Sequence, residues 1–180
     1  WRMIIIFSGP SGVGKSTIIN ELIKEQELYF SISHTTREKR HNEIEGQDYF
    51  FVTSDQFKEL ISDDFFIEYE KYGTDYYGTG KNQLENKNSI IVLDVEVNGA
   101  TTLLNNNENF VGIFIDIENE ELIKRLKERG HDEIFINKRM ALANEQRSKI
   151  NDFDYIVKNV DINTTVKNIL DIICNLEESW

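Results

Sequence analysis

The chain has 180 residues, the length of one ordinary domain and enough to bury a hydrophobic core. Hydrophobic residues make up 39% and charged residues 29%, which excludes an intrinsically disordered chain. No apolar run approaches the ~20 residues that cross a bilayer. The net charge of −12 excludes a general affinity for nucleic acid or anionic membranes, so a polyanionic ligand must bind where the few basic residues are concentrated.

The cysteine content and the opening residues indicate where the protein works. Cys174 is the only cysteine, so no internal disulfide can form and the fold does not depend on an oxidising compartment. It lies in an apolar helical pattern, and we expect a buried, unreactive thiol. The apolar run Met3–Ser8 is too short for a secretory signal. We therefore expect a cytoplasmic protein.

The N-terminal part is predicted to alternate short strands with helices. Met3–Ser8 predicts a buried strand, and the spacing of apolar residues after Lys15 predicts an amphipathic helix. Thr53 and Gln56 have the spacing of a capping box, which predicts a helix over about Ser54–Ser62. The other elements predicted here are short strands at 29–33 and 48–52, a polar stretch at 34–47, and extended aromatic-rich segments at 65–72 and 75–78.

The C-terminal part contains strands that are apolar throughout. Ser89–Asp94 predicts a strand that is buried on both faces and ends in a carboxylate. The other elements predicted here are a polar turn at 105–107, strands at 111–116 and 153–157, and helices at 121–129, 134–149 and about 166–176. Apolar strands alternating with helices favour an α/β fold with a parallel sheet covered on both faces, and the aromatic-rich residues 31–80 form an inserted lobe.

The turn after the first strand fits the phosphate-binding pattern G-x-x-x-x-G-K-S/T. It is the segment Gly9-Pro10-Ser11-Gly12-Val13-Gly14-Lys15-Ser16, followed by Thr17. Its glycines let backbone N–H groups surround a phosphate, and the following helix directs its positive dipole end to the same place. We expect Lys15 to contact the β and γ phosphates of a nucleoside triphosphate and Ser16 to ligate Mg²⁺. Asp94, at the end of a buried strand, is the expected second metal anchor, through water.

A second group of motifs lies in the inserted lobe. They are Ser33-His34-Thr35-Thr36-Arg37-Glu38-Lys39-Arg40, Gly46-Gln47-Asp48-Tyr49-Phe50-Phe51, Phe66-Ile67-Glu68 and Tyr76-Tyr77-Gly78-Thr79. In the same order, the guanylate kinase family has S-x-T-T-R-x-x-R, G-x-D-Y-x-F, F-I-E and Y-Y-G-S/T, and the chain resembles that family from the loop through the C-terminal helix. The resemblance implies one domain over 1–180, with a parallel core (1–32, 81–128 and 150–180), a GMP-binding lobe (about 33–80) and a short helical lid (about 129–149).

The basic residues of the lobe are expected to offset the repulsion between two charged nucleotides, because two such nucleotides can be held in line only if positive groups lie between or beside them. Arg37 and Arg40, three residues apart, can converge on one phosphate. Tyr49 and Tyr77 can each donate a hydroxyl to the same anion. The resemblance implies that all four bind the phosphate of GMP.

Guanine presents an acceptor at O6 and donors at N1 and N2. A carboxylate such as Glu68 suits the two donors, and hydroxyls such as those of Ser33 and Thr79 suit O6. Adenine presents the reverse pattern and would leave Glu68 unpaired, which costs roughly 1–3 kcal/mol or more. By the resemblance, Gly78 and Glu96 also belong to the GMP site.

The lid implied by the resemblance closes over ATP and excludes water, which competes as a phosphoryl acceptor. It also implies that Arg129 and Arg139 contact the transferring phosphate. Arg125, by contrast, is expected to be a surface charge of a helix.

The chain departs from the family pattern in three places. Glu96 and Asn98 stand where the family usually has aspartate and glutamine, so one side chain is a methylene longer and the other a methylene shorter. Residues 116–119 replace the usual P-P-S, and the lid is one residue shorter than the common pattern. The first departure bears on contacts with the base, and the other two on lid geometry and adenine packing. Every charged phosphate ligand is retained.

The predicted reaction is the Mg²⁺-dependent transfer of the γ-phosphoryl group of ATP to GMP, and to dGMP, giving GDP or dGDP and ADP. It needs no protein nucleophile, because catalysis is positioning and electrostatic stabilisation. The predicted catalytic residues are Lys15, Arg37, Arg129 and Arg139. We expect no nucleic-acid or membrane partner, and a monomer or homodimer.

Two alternatives from other classes stay open. One is a catalytically silent guanylate-kinase-like interaction domain, which the intact loop and the complete acceptor motifs disfavour. The other is a related small-molecule kinase with another acceptor. Glu68, together with Ser33 and Thr79, disfavours this second alternative.

Overall fold

The structure is a computed structural model that describes residues 3–85 and 89–179, so residues 1, 2, 86–88 and 180 of the predicted domain lie outside the described residues. Strands and helices follow one another along the chain. The strands are β1 (Ile4–Ser8), β2 (Leu28–Phe30), β3 (His34–Thr35), β4 (Phe50–Phe51), β5 (Phe66–Tyr72), β6 (Asp75–Gly80), β7 (Ile90–Asp94), β8 (Phe110–Asp116) and β9 (Tyr155–Lys158). The helices are α1 (Lys15–Glu25), α2 (Ser54–Ser62), α3 (Val97–Asn106), α4 (Asn119–Glu128), α5 (Glu133–Arg147) and α6 (Ile162–Ser179).

The larger sheet, which we call the main sheet, has the strand order β2-β7-β1-β8-β9 and is parallel throughout. Its central strands are buried on both faces, so no polar residue alternates with the apolar ones. One face packs on α1, α4, α5 and α6, and the other packs on α3. The predicted α/β fold with a covered parallel sheet is therefore confirmed. Because all strands point the same way, the residues after β1, β7 and β8 meet at one edge.

The smaller sheet, the small sheet, has the order β4-β3-β6-β5 and arises from the segment predicted to be inserted. Its β3–β6 and β5–β6 pairs are antiparallel. Helix α2 begins with the predicted capping box, in which Gln56 N donates to Thr53 Oγ1 at 3.2 Å and Thr53 N donates to Gln56 Oε1 at 2.9 Å. Its buried Phe57 stacks on Phe66 with ring centroids 4.5 Å apart, which fixes the helix to the sheet.

Three local expectations were wrong. Strand β3 lies inside the predicted polar stretch, and helix α3 was not predicted, so Asn105 and Asn106 end a helix instead of forming a turn. Helix α3 has no side-chain N-cap and contains Gly99, but its apolar residues bury against the sheet and stabilise it. Cys174 is exposed, because Ile173 next to it occupies the buried face of α6.

The described helices include none that is both long and apolar enough to cross a membrane.

Candidate active site

A cleft of about 410 Å³ lies between the carboxyl edge of the main sheet and the small sheet. Its lining combines residues from both sheets and from the start of α1. The predicted site residues that line it are Lys15, Ser16, Ser33, Arg37, Arg40, Tyr49, Glu68, Tyr77, Gly78, Asp94 and Glu96. Lys15 and Ser16, at the end of the loop predicted to bind the triphosphate, thus share one cavity with residues predicted to bind the acceptor, whereas residues 9–14 and Thr17 are outside its lining.

The glycine-rich loop Gly9–Ser16 joins β1 to α1 and depends on glycine at its first position. Gly9 has φ +145°, and a Cβ atom there would lie 2.0 Å from the carbonyl oxygen of Ile115. Only glycine allows the chain to cross so close to β8. Pro10 and Val13 are buried, Gly12 is half-buried, and Ser11, Ser16 and Thr17 are exposed. The exposed hydroxyl of Ser16 faces the cleft at the first turn of α1.

Lys15 forms an ion pair across the cleft edge with Asp94, with 2.5 Å between Nζ and Oδ1. The fold brings the two residues together because Asp94 ends β7 and Lys15 follows the loop after the neighbouring strand β1. Burial opposes the positive charge, but the attraction of Asp94 and Glu96 outweighs burial and raises the pKa of Lys15. Lys15 is therefore charged at every physiological pH.

Arg37 is held by a carboxylate that the sequence analysis missed. Its Nη2 donates to Glu43 Oε1 at 2.6 Å and its Nη1 to Glu43 Oε2 at 3.1 Å. The backbone N–H of Arg40 also donates to Glu43, at 2.8 Å. These bonds lower the pKa of Glu43 and raise that of Arg37. The sequence offers no distinctive signal for Glu43, which follows Arg40 by three residues in a polar stretch that also contains Glu38 and Glu45.

Tyr49 and Tyr77 stand beside Arg37 with ring centroids 6.0 Å apart. The Arg37 guanidinium lies 5.5 Å from the centre of the Tyr49 ring. Burial, together with the charge of Asp94, raises the pKa of Tyr49 to about 12. Its hydroxyl is therefore protonated at neutral pH and can donate a hydrogen bond to an anion.

The lining of the cleft is rich in carboxylates. Thr79 is buried and donates from Oγ1 to Glu68 Oε1 at 2.6 Å, so Thr79 contacts Glu68 and does not itself line the cleft. Burial raises the pKa of Glu68 to about 7, partly offset by Thr79 and reinforced by Glu70. Burial also raises the pKa of Glu96, although Lys15 opposes this. Glu70 lines the cleft as well and was not predicted.

The predicted lid arginines lie outside the cleft lining. Arg139 donates from Nη1 to the Tyr72 hydroxyl at 2.9 Å, and Tyr72 lines the cleft. Arg129 is exposed at the end of α4. Arg125, predicted to be a surface charge, is 25% exposed and pairs with Glu121 at 3.0 Å on α4, but its Nη1 also donates to the Val13 carbonyl at 3.3 Å. No local pattern could identify a contact that spans 112 residues of sequence.

The departures from the family pattern are accommodated by hydrogen bonds. Asn98 donates to Glu70 Oε1 at 3.0 Å and accepts from Lys149. In the segment that replaces P-P-S, Asp116 forms an ion pair with Arg147 at 2.9 Å. Both substituted positions are therefore tied to α5 or to the turn that follows it.

Comparison with known proteins agrees with this geometry. A family model described as guanylate kinase matches residues 2–176. The guanylate kinase of Mycoplasma genitalium is 42% identical over 178 residues, covering 94% of this chain and 74% of that protein. The guanylate kinase of Escherichia coli K12 is 39% identical, covering 94% and 86%. The crystal structure of guanylate kinase from Anaplasma phagocytophilum superposes with a TM-score of 0.81 at 30% identity, covering 97% of this chain and 85% of that one.

Proposed function

Since the chain belongs to the guanylate kinase family and therefore transfers a phosphoryl group from ATP to GMP, we propose that the cleft between its two sheets holds both nucleotides. The triphosphate of ATP binds the glycine-rich loop, and GMP binds the small sheet. One observation supports this assignment above the others: Lys15, Arg37 and Glu68 line a single cleft. A donor site and an acceptor site that share one cavity can bring two phosphates in line.

On the donor side, backbone N–H groups of the loop and the start of α1 bind the phosphates, and Lys15 adds its charge. Arg125 joins this set as a residue that sequence reasoning did not assign, because it lies on the loop at Val13. Arg129 and Arg139 stay proposed ligands of the transferring phosphate. They lie on the segments that flank the connection between α4 and α5, so a movement of that connection would bring them over ATP.

Mg²⁺ is the proposed cofactor, and the residues present fit it. The described residues contain no cluster of three or more His, Cys, Asp or Glu side chains that could hold a metal alone. Mg²⁺ instead keeps several waters and takes substrate phosphate oxygens with one or two protein ligands. Ser16 and Asp94 line the cleft beside Lys15 and can supply these, Asp94 through water. When bound with ATP, Mg²⁺ offsets the negative charge of the phosphates.

On the acceptor side, Arg37, Arg40, Tyr49 and Tyr77 bind the phosphate of GMP. The pairing of Arg37 with Glu43 presets the guanidinium before substrate arrives, which reduces the entropy lost on binding. All four residues line the cleft.

At the other end of the acceptor site, Glu68 accepts the N1–H and N2–H of guanine, and Ser33 donates to O6. Thr79 orients the Glu68 carboxylate through their 2.6 Å hydrogen bond. Gly78 and Glu96 also line the cleft and belong to the proposed GMP site.

The chain's own groups contribute charge and position, not a covalent intermediate. Lys15 and the arginines stabilise the charge that spreads over the transferring group, and enclosure keeps water from competing. The proposal extends to dGMP, since no residue assigned here depends on the ribose 2′-hydroxyl. It also extends to a cytoplasmic location, where ATP and GMP are available, and to a monomer or homodimer.

A coupled assay of ADP formation with GMP, AMP, UMP and CMP tests the acceptor assignment. We expect turnover with GMP and little with the others, and Glu68→Gln should reduce kcat/KM for GMP by roughly 10-fold or more, because the amide offers N–H against the N2 donor. Glu85→Gln removes the same charge from an exposed glutamate outside the cleft and serves as the control. Comparable turnover of AMP would refute the role of Glu68.

A further inference from the structure

The carbonyl of Val13, in the middle of the glycine-rich loop, receives two hydrogen bonds from distant parts of the chain. Asn159 donates from Nδ2 at 2.6 Å, and Arg125 donates from Nη1 at 3.3 Å. Val13 is fully buried and Asn159 is 4% exposed. Water cannot replace the Asn159 donor there, so this contact determines which way the carbonyl points.

Asn159 is itself held in place by further hydrogen bonds. It follows β9, where its backbone N–H donates to the Asp116 carbonyl at 2.8 Å and continues the main sheet. The Thr165 hydroxyl, fully buried in α6, shares its proton between Asn159 Oδ1 at 3.0 Å and the Asp161 carbonyl at 2.7 Å. With Oδ1 occupied in this way, Nδ2 faces the loop.

The Val13–Gly14 peptide is able to turn over because a glycine follows it. In a trans peptide the N–H points away from the C=O, so the direction of the Val13 carbonyl sets that of the Gly14 N–H. Gly14 has φ +93°, and glycine gives little steric resistance to a peptide flip. A flip would exchange an N–H donor for a carbonyl oxygen at a site that binds an anion.

We propose that Asn159 is a positioning residue for the phosphate-binding loop. It holds the Val13 carbonyl away from the nucleotide and thereby directs the Gly14 N–H at the triphosphate, while Thr165 orients Asn159. A Cβ atom at Gly14 would lie 2.9 Å from Asn159 Nδ2, which shows how closely the amide packs on this peptide. The inference rests on the proposed binding of ATP by the loop and adds a residue from the opposite end of the chain.

Asn159→Asp tests this role, because the carboxylate has the shape of the amide but offers no N–H to Val13. We expect the Kd of ADP, measured by calorimetry, to rise roughly 10- to 100-fold, with the Kd of GMP changed less than about 2-fold. Thr165→Val, which removes the hydroxyl shared by Asn159 and the Asp161 carbonyl, should raise the Kd of ADP by a smaller factor. Asn168→Asp, at an exposed position of α6, introduces the same charge and should leave both affinities unchanged.

A second readout separates positioning from general stability. The ¹⁵N–¹H signal of Gly14 should broaden by exchange in Asn159→Asp without nucleotide, as the peptide samples both orientations, while signals of the small sheet stay sharp. An unchanged Kd for ADP, or equal losses for ADP and GMP, would overturn the proposal. If Asn159→Asp does not fold, Thr165→Val must still show the selective loss, or the proposal fails. Failure of the wild-type protein to bind ADP would instead refute the proposed role of the loop.

Discussion

Burial and hydrogen bonding act in opposite directions on the carboxyl of Glu68, the residue that we propose binds guanine. Burial raises its pKa to about 7, and the hydroxyl of Thr79 offsets part of that rise. Glu70 adds a like charge nearby and raises the pKa further. The free protein therefore holds Glu68 partly protonated at neutral pH, whereas accepting the N1–H and N2–H of guanine needs the charged form.

Binding of GMP should therefore release a proton from Glu68 and strengthen as the pH rises. Below pH 7 the free carboxyl is mostly protonated, so affinity should fall by up to about 10-fold per pH unit, and above pH 8 this contribution should level off. Calorimetric titrations with GMP between pH 5.5 and 8.5 measure the effect. The phosphate of GMP titrates near pH 6, so Glu68→Gln provides the reference slope. A wild-type affinity that follows the same slope as the variant would contradict the prediction.

The residues that were identified from the sequence alone all belong to motifs with a fixed spacing, so they can be recognised without knowledge of the fold. Lys15, Arg37 and Glu68 stand at fixed spacings and all line the cleft, although their roles stay predictions. Glu43 and Arg125 stand at no informative spacing, and each acts through a partner that only the folded chain brings near. A lone glutamate or arginine in a polar segment has the same local pattern as a surface charge.

At the level of elements, the reliable predictions were those with a strong local cause. The capping box defined α2 to the residue, and continuous apolar runs defined β1 and β8 within one or two residues. Helix α3 and the two-residue strand β3 lacked such a cause. Helix α3 is stabilised by packing on the main sheet, and β3 by pairing with β4 on one side and β6 on the other.

Strand β3 contains a titratable group in an unusual environment. His34 is 9% exposed, its Nδ1 has no hydrogen-bond partner among the described residues, and its ring contacts those of Phe50, Phe65 and Phe66. Burial lowers the pKa of His34, although the charge of Glu45 opposes this. The folded protein therefore binds a proton at His34 less readily than the unfolded chain does.

Because the folded-state pKa is the lower one, the contribution of His34 to stability is fully present above about pH 6.5 and is lost as the pH falls through the folded-state value. As the pH falls through this range, the free energy of unfolding of the wild type should decrease relative to that of His34→Phe. The decrease should be at most about 1.4 kcal/mol per pH unit. Urea titrations of both proteins at pH 7.5, 6.5 and 5.5 measure the difference. Glu68 titrates in both proteins and cancels. If the free energies of unfolding of the two proteins changed in parallel with pH, the proposed contribution of His34 would be ruled out.

At the level of the whole molecule, the two proposed nucleotide sites are built on different sheets. The donor site depends on the parallel main sheet, where the ends of β1 and β7 bring the loop and Asp94 together. The acceptor site depends on the small sheet, which presents Glu68 from β5 and Tyr77 from β6. Arg139 of α5 connects the two parts through its hydrogen bond to Tyr72 at the end of β5. A mutation on the donor side should therefore reduce turnover without weakening GMP binding, and a mutation on the acceptor side should weaken GMP binding.

Lys15→Ala tests that separation. Removing the ammonium group takes away a charge that the transferring phosphoryl group needs, so turnover should fall by roughly 1,000-fold or more. The Kd of GMP, measured by calorimetry without ATP, should change less than about 3-fold, because the proposed GMP ligands are retained. Arg37→Ala should show the reverse selectivity and weaken GMP far more than ATP. Lys24→Ala, at an exposed lysine of the same helix, is the control for a lost charge. If Lys15→Ala weakened GMP as much as ATP, the two sites would not be independent, and the division of the cleft between the two sheets would be wrong.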